Sequence, residues 1–63
     1  MIDVYDKRIF PLIRDLFAEQ DNITTEEALI TYSDEKLVAI RRGDMQLFKQ
    51  WAQLANERAQ AQS

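Results

Sequence analysis

Apolar residues recur at helical spacing along most of the chain, and the longest such stretch runs from Asp44 to Ala59. Apolar residues of this stretch have the spacing expected for one face of an α-helix: Leu47, Phe48, Trp51, Leu54 and Ala55. Trp51 is the only tryptophan. The pattern predicts a helix on which the other elements pack, and it assigns Leu47, Phe48, Trp51 and Leu54 to the core or to a dimer seam.

A second amphipathic stretch follows Pro11. Its apolar positions fall on one helical face: Leu12, Ile13, Leu16 and Phe17. Proline costs about 3 kcal/mol inside a helix but nothing at the first helical position. We therefore expect a helix from Pro11 to about Gln20, with Leu16 and Phe17 in the core or at a dimer interface. Residues 1–10 are an extended arm in one interpretation and an early helix in the other.

The next segment carries the clearest capping pattern of the chain. Thr24 is a favourable N-cap, and Glu27 three residues later completes a capping box. The pattern predicts a second helix over residues 25–32, with Ala28 and Leu29 facing inward. A helix of this length does not form in isolation, so tertiary packing must stabilise it.

A third helix is predicted after Ser33, which is a suitable N-cap. Arg41 and Arg42 lie in its last turn, where positive charge suits the helix dipole. Gly43, the only glycine, is expected to end this helix in the left-handed conformation. Asp44 follows as the predicted N-cap of the fourth helix.

These patterns predict one all-α domain over residues 1–63, a compact bundle of about four short helices with a frayed tail at residues 60–63. A chain this short is marginal unless disulfides, a metal, self-association or very good packing stabilises it. It contains no cysteine and no histidine. We therefore expect a homodimer that completes the core, with its seam on the fourth helix and the first helix as a further candidate.

Charge and composition narrow the function classes. The formal net charge is -3 at pH 7, from 8 basic and 11 acidic residues, which disfavours a general nucleic-acid binder. No apolar run approaches the roughly 18 residues that span a bilayer, so no membrane association is expected. Asp3 and Asp6 lie where a signal peptide would be basic, which favours the cytoplasm.

The sequence predicts no enzyme, no catalytic residue, no metal site and no cofactor. There is no nucleophile-and-base constellation and no glycine-rich phosphate loop. The carboxylate pairs Glu26–Glu27 and Asp34–Glu35 lie in the first turns of predicted helices, where stabilisation of the helix dipole accounts for them.

Residues 24–42 also allow a second hypothesis, a small dimeric DNA-binding regulator with a helix-turn-helix-like unit. Arg41 and Arg42 favour it, because they could contact phosphates. Asp34 and Glu35 oppose it, because they lead the helix that would approach the bases. The joint is also shorter than the usual turn of three or four residues.

Four side chains are the candidate partner-binding residues, because core packing accounts for them least: Tyr5, Phe10, Arg41 and Arg42. Aromatic residues and arginine are the enriched anchors of protein–protein interfaces. The favoured function is therefore that of a non-catalytic protein–protein interaction module.

Two stretches, MIDVYDKRIFPLIRDLF at the start and FKQWAQLANERAQ near the end, carry a resemblance over the whole chain. The chain resembles the small accessory proteins that lambdoid bacteriophages encode between their exonuclease and excisionase genes. This resemblance implies an early phage protein in the host cytoplasm that modulates host replication or phage development through a host or phage protein partner. It carries over no site residue.

Overall fold

The computed structural model describes residues 1–62 and contains four α-helices, with no strand among these residues. The helices are α1 (Ile9–Asp21), α2 (Thr25–Thr31), α3 (Asp34–Gly43) and α4 (Met45–Ala61). The prediction of an all-α fold is confirmed. The predicted frayed tail begins inside α4, which continues through Ala61, and Ser63 lies outside the described residues.

The first helix begins two residues before Pro11, so Phe10 is helical and the predicted start at Pro11 is wrong. The first N–H groups of a helix have no intrahelical acceptor, and a proline within the first turn therefore removes no bond. The Lys7 carbonyl instead accepts from the Phe10 N–H at 3.3 Å. Residues 1–8 precede the helix as irregular backbone and turns, and we call them the arm.

Three N-caps agree with the sequence patterns. Thr24 and Glu27 make both hydrogen bonds of the capping box. Ser33 accepts from the Lys36 N–H, and Asp44 accepts from the Leu47 N–H. Each cap satisfies a backbone donor that the helix itself leaves free.

Within residues 1–62 the left-handed residue is Asn22, not Gly43. Asn22 has φ 55° and ends α1, where the Ile23 N–H donates to the Ala18 carbonyl at 3.0 Å. This is the arrangement of a Schellman motif. Gly43 is the last helical residue of α3 and its φ is not positive, so the prediction of a left-handed glycine cap is wrong.

The core forms chiefly between α1 and α4, with α2 packed on α1 and α3 packed on α4. Its apolar members share nearly complete burial: Ile9, Phe10, Ile13, Leu16, Leu37, Phe48, Ala52 and Ala55. Phe10 and Phe48 meet edge to face, with their ring centroids 6.3 Å apart. Leu16 and Phe48 therefore lie in the core as expected.

Helix α4 buries a face that agrees with the predicted one only in part, through Phe48 and Ala55. Its buried residues are Phe48, Ala52, Ala55 and Asn56. Leu54 is 47% exposed, while Leu47 and Trp51 are half-buried, so of the two alternatives predicted for Leu54 the core is excluded and the dimer seam stays a prediction. Small alanine side chains permit close approach of the neighbouring helices, and the larger residues lie at the edge of the contact.

Candidate interaction surfaces

Arg41 lies among three aromatic rings. Its guanidinium carbon is 5.4 Å from the ring centroid of Tyr5, 5.3 Å from that of Phe10 and 5.8 Å from that of Phe48. Such distances permit cation–π attraction. Arg41 also donates to the backbone carbonyl of Val4 at 3.0 Å. The side chain therefore fastens the arm to α3 and to the core.

The structure thus brings together three of the four candidate partner-binding residues, but largely in a structural role. Phe10 is only 6% exposed and belongs to the core, so it is not available as a surface anchor. Tyr5 is 70% exposed and rests beside Arg41. Arg42 is exposed and lies outside this cluster.

The arm is fastened a second time by Asn56 of α4, through hydrogen bonds to the backbone of Ile2. A shallow, mostly apolar cleft of about 600 Å³ lies between the first four residues and α4, where Lys49 and Gln53 also line it.

At the other end of the arm, hydrogen bonds from the Arg8 side chain lower the pKa of the Asp6 carboxyl from 3.8 to about 2. The arm is therefore a fixed part of the surface.

Three aromatic rings join α1, α4 and the joint between α2 and α3. Phe17 stacks on Tyr32 with centroids 4.5 Å apart, and it meets Trp51 edge to face at 4.8 Å. The Tyr32 hydroxyl donates to the Asp21 carboxylate at 3.2 Å. Burial, and then this hydrogen bond, raise the pKa of Tyr32 above its usual value of 10.0. The stacking of Tyr32 on Phe17 and its hydrogen bond to Asp21 fix the joint between α2 and α3 relative to α1.

Helix α2 presents an apolar pair to solvent that the sequence patterns did not reveal. Ile30 is 82% exposed and Leu29 is 53% exposed, whereas Ala28 is buried. Ile30 follows Ala28 by two residues, which is roughly 200° around an α-helix, so it points away from the core. We call Glu26, Leu29 and Ile30 the α2 outer face. The inward orientation predicted for Leu29 is wrong.

One signal for this exposed face is the run of three consecutive apolar residues at positions 28–30 of α2. Ala28 is the only buried residue of α2, and the neighbouring apolar positions extend too far around the helix for one contact to cover them. In a helix of seven residues, however, periodicity is too short to locate the buried face.

Charge is divided unevenly between parts of the chain. Residues 15–35 contain seven carboxylates and no lysine or arginine, while the remaining residues contain four carboxylates and all eight basic side chains. The α2 outer face belongs to the acidic part. Two ion pairs join carboxylates of residues 15–35 to arginines outside that range: Arg58–Glu19 and Arg14–Asp34.

The geometry gives little support to DNA binding by residues 24–42. Helix α2 packs on α1 and α3 packs on α4, instead of forming a closely packed pair. Asp34 at the start of α3 pairs with Arg14, and Glu35 beside it is exposed. Arg41 fastens the arm, which leaves Arg42 as the exposed arginine of this unit.

Residues 1–62 contain no cluster of three or more side chains suited to holding a metal ion. None of the helices in this described part is long and apolar enough to cross a bilayer. Comparison with known protein families, with curated proteins and with solved structures finds no match.

Proposed function

We propose that this protein is a non-catalytic module that binds another protein, and that the α2 outer face is its docking surface. The observation that carries the proposal is the exposure of Ile30 and Leu29 beside a core that is closed without them. Removing a large aliphatic side chain from water stabilises a complex by about 1.5–3 kcal/mol. Two such side chains on adjacent positions form a small docking site.

The resemblance to lambdoid accessory proteins supports the biological setting of this proposal. In it, the module is an early phage protein in the host cytoplasm, and binding to a host or phage protein modulates host replication or phage development. A small domain with exposed apolar side chains is suited to such a role, because it can act by occupying a surface of its partner.

We also propose that the protein forms a homodimer through α4. Leu47, Trp51 and Leu54 lie at helical spacing along one side of α4, and all three keep exposed surface. Sedimentation equilibrium should give a dimer for the native protein and a monomer for Leu54→Glu. A native monomer across a wide concentration range would contradict this dimer.

Site-specific photo-crosslinking tests the docking surface. A photoreactive amino acid at position 30, introduced in bacterial cells that produce the protein, should give a discrete adduct with one other protein. The same amino acid at Gln53, an exposed position on α4 away from the side of Leu47, Trp51 and Leu54, is the matched control. Ile30→Glu should retain the folded structure, because this side chain is 82% exposed, but should not compete for the adduct. Equal adducts from both positions, or none from position 30, would overturn the proposal.

A further inference from the structure

The α2 outer face combines its apolar pair with negative charge. Glu26 lies one helical turn before Ile30 and three residues before Leu29, so its carboxylate borders both side chains. Glu27 lies three residues before Ile30 on the other side, and its carboxylate accepts the Thr24 N–H of the capping box at 3.2 Å. No ion pair involves Glu26 or Glu27 within residues 1–62. The rim of the apolar pair is therefore acidic and without a cationic partner.

Further carboxylates flank α2 along the chain on both sides. Asp21 precedes the helix and accepts a hydrogen bond from Tyr32, while Glu35 follows it in the first turn of α3. Lys36 is the nearest cation in sequence, and its ammonium lies 5.7 Å from the ring centroid of Tyr32. Arg14 and Arg58 are paired with other carboxylates of this region. The cations that reach the region neutralise only part of it.

Resting on the proposed function, we propose that the partner presents a basic amphipathic helix to the α2 outer face. Apolar side chains of that helix would contact Leu29 and Ile30, while its lysine and arginine side chains would lie against Glu26 and the neighbouring carboxylates. Complementary charge of this kind favours the encounter and rejects acidic partners. The same carboxylates repel the phosphates of nucleic acid and the headgroups of anionic lipids.

The form of α2 favours a helix as the docked element. The capping box satisfies the Glu27 N–H, and the later backbone bonds of α2 run along the helix itself, so α2 offers no open edge to an extended strand. What remains available is a ridge of side chains, against which the apolar stripe of another helix can pack.

The inference is tested with two synthetic helical peptides that share one apolar pattern. One carries lysine at its polar positions and the other carries glutamate. Titration of the isotope-labelled full chain, followed by amide NMR, should show that the lysine peptide shifts the resonances of residues 25–31. Its affinity should fall at least about tenfold between low and high salt, because exposed charges are screened. The glutamate peptide should not bind.

Charge variants locate the effect. Glu26→Lys should weaken binding of the lysine peptide about tenfold or more, and Glu26→Gln should weaken it less. Glu57→Lys makes the same change at an exposed position of α4 and should leave the affinity nearly unchanged. Ile30→Ser should also weaken binding, since it removes the apolar contact without changing the charge.

Three results would overturn the inference: equal binding of both peptides, shifts confined to other helices, or equal weakening by Glu57→Lys and Glu26→Lys. These outcomes differ from failure of the proposed function. If position 30 crosslinks to another protein but the lysine peptide does not bind, the docking surface stands and the basic partner is wrong. If position 30 crosslinks only to a second copy of the chain, the face is a self-association surface and the inference fails.

Discussion

The side-chain amide of Asn56 holds the backbone of Ile2, which lies 54 residues earlier in the chain. Its Oδ1 accepts from the Ile2 N–H at 2.8 Å, and its Nδ2 donates to the Ile2 carbonyl at 2.9 Å. Nδ2 also donates to the Ala52 carbonyl at 2.9 Å. Asn56 is only 4% exposed, its bond to Ala52 is buried, and its two bonds to Ile2 are partly buried.

Replacement of this amide should release the arm. Asn56→Ala should lower the free energy of unfolding by about 1–3 kcal/mol, because the Ile2 N–H and carbonyl lose their partner in a partly buried site. Urea denaturation followed by Trp51 fluorescence measures the change. Gln53→Ala is the matched control, since Gln53 is exposed on the same helix. Equal losses for the two variants would show that Asn56 does not fasten the arm.

The two adjacent arginines of α3 should respond very differently to truncation. Arg41→Ala should cost about 1–3 kcal/mol, because it removes the hydrogen bond to the Val4 carbonyl and a cation–π contact. Arg42→Ala should change the free energy of unfolding by no more than about 0.5 kcal/mol, as is usual for an exposed side chain. Both variants remove one positive charge, so their difference in urea denaturation isolates the contacts of Arg41. Similar values for the two would contradict this assignment.

The parts of the fold that could be predicted depend on local chemistry. Thr24, Ser33 and Asp44 cap their helices because each needs only a backbone donor two or three residues away. The buried face of α4 could be predicted only in part, through Phe48 and Ala55. It consists of one phenylalanine with two alanines and an asparagine, and hydropathy gives such small or polar residues less weight than Trp51 and Leu54.

The candidate site was likewise predictable only as far as local residue types determine it. Aromatic and arginine content pointed to Tyr5, Phe10 and Arg41, and these residues do lie together. Their contacts hold the arm against the core, however, because Phe10 is a buried residue of α1 and the Arg41 side chain packs on its ring. The exposure of Leu29 and Ile30 is not predictable from the sequence. The burial of an apolar residue in a short helix depends on where that helix packs in the tertiary structure.

The backbone at Gly43 allows a stabilising substitution. Gly43 is helical, its φ is not positive, and a Cβ at this position would meet nothing within 4 Å. Gly43→Ala should therefore raise the free energy of unfolding by about 0.5–1 kcal/mol, because alanine loses less backbone entropy on folding. Thermal or urea denaturation measures the gain. Asn22→Ala should have the opposite sign, with a loss of about 1 kcal/mol, since Asn22 is left-handed. Destabilisation by Gly43→Ala would mean that this glycine is required as a cap after all.

Tyr32 should make the protein less stable in alkali. Burial and the hydrogen bond to Asp21 raise its pKa above 10.0, so the folded state holds the proton more tightly than the unfolded state. The resulting stabilisation is fully present below about pH 10, the unfolded pKa, and is lost as the pH rises through the folded pKa. In Tyr5→Phe, Tyr32 is the only tyrosine, and its ionisation can be followed by tyrosinate absorbance. Further substitution of Asp21→Asn should lower the pKa only partly, because burial is the larger cause. A normal or lowered pKa in Tyr5→Phe would contradict the packing of Tyr32 between Phe17 and α3.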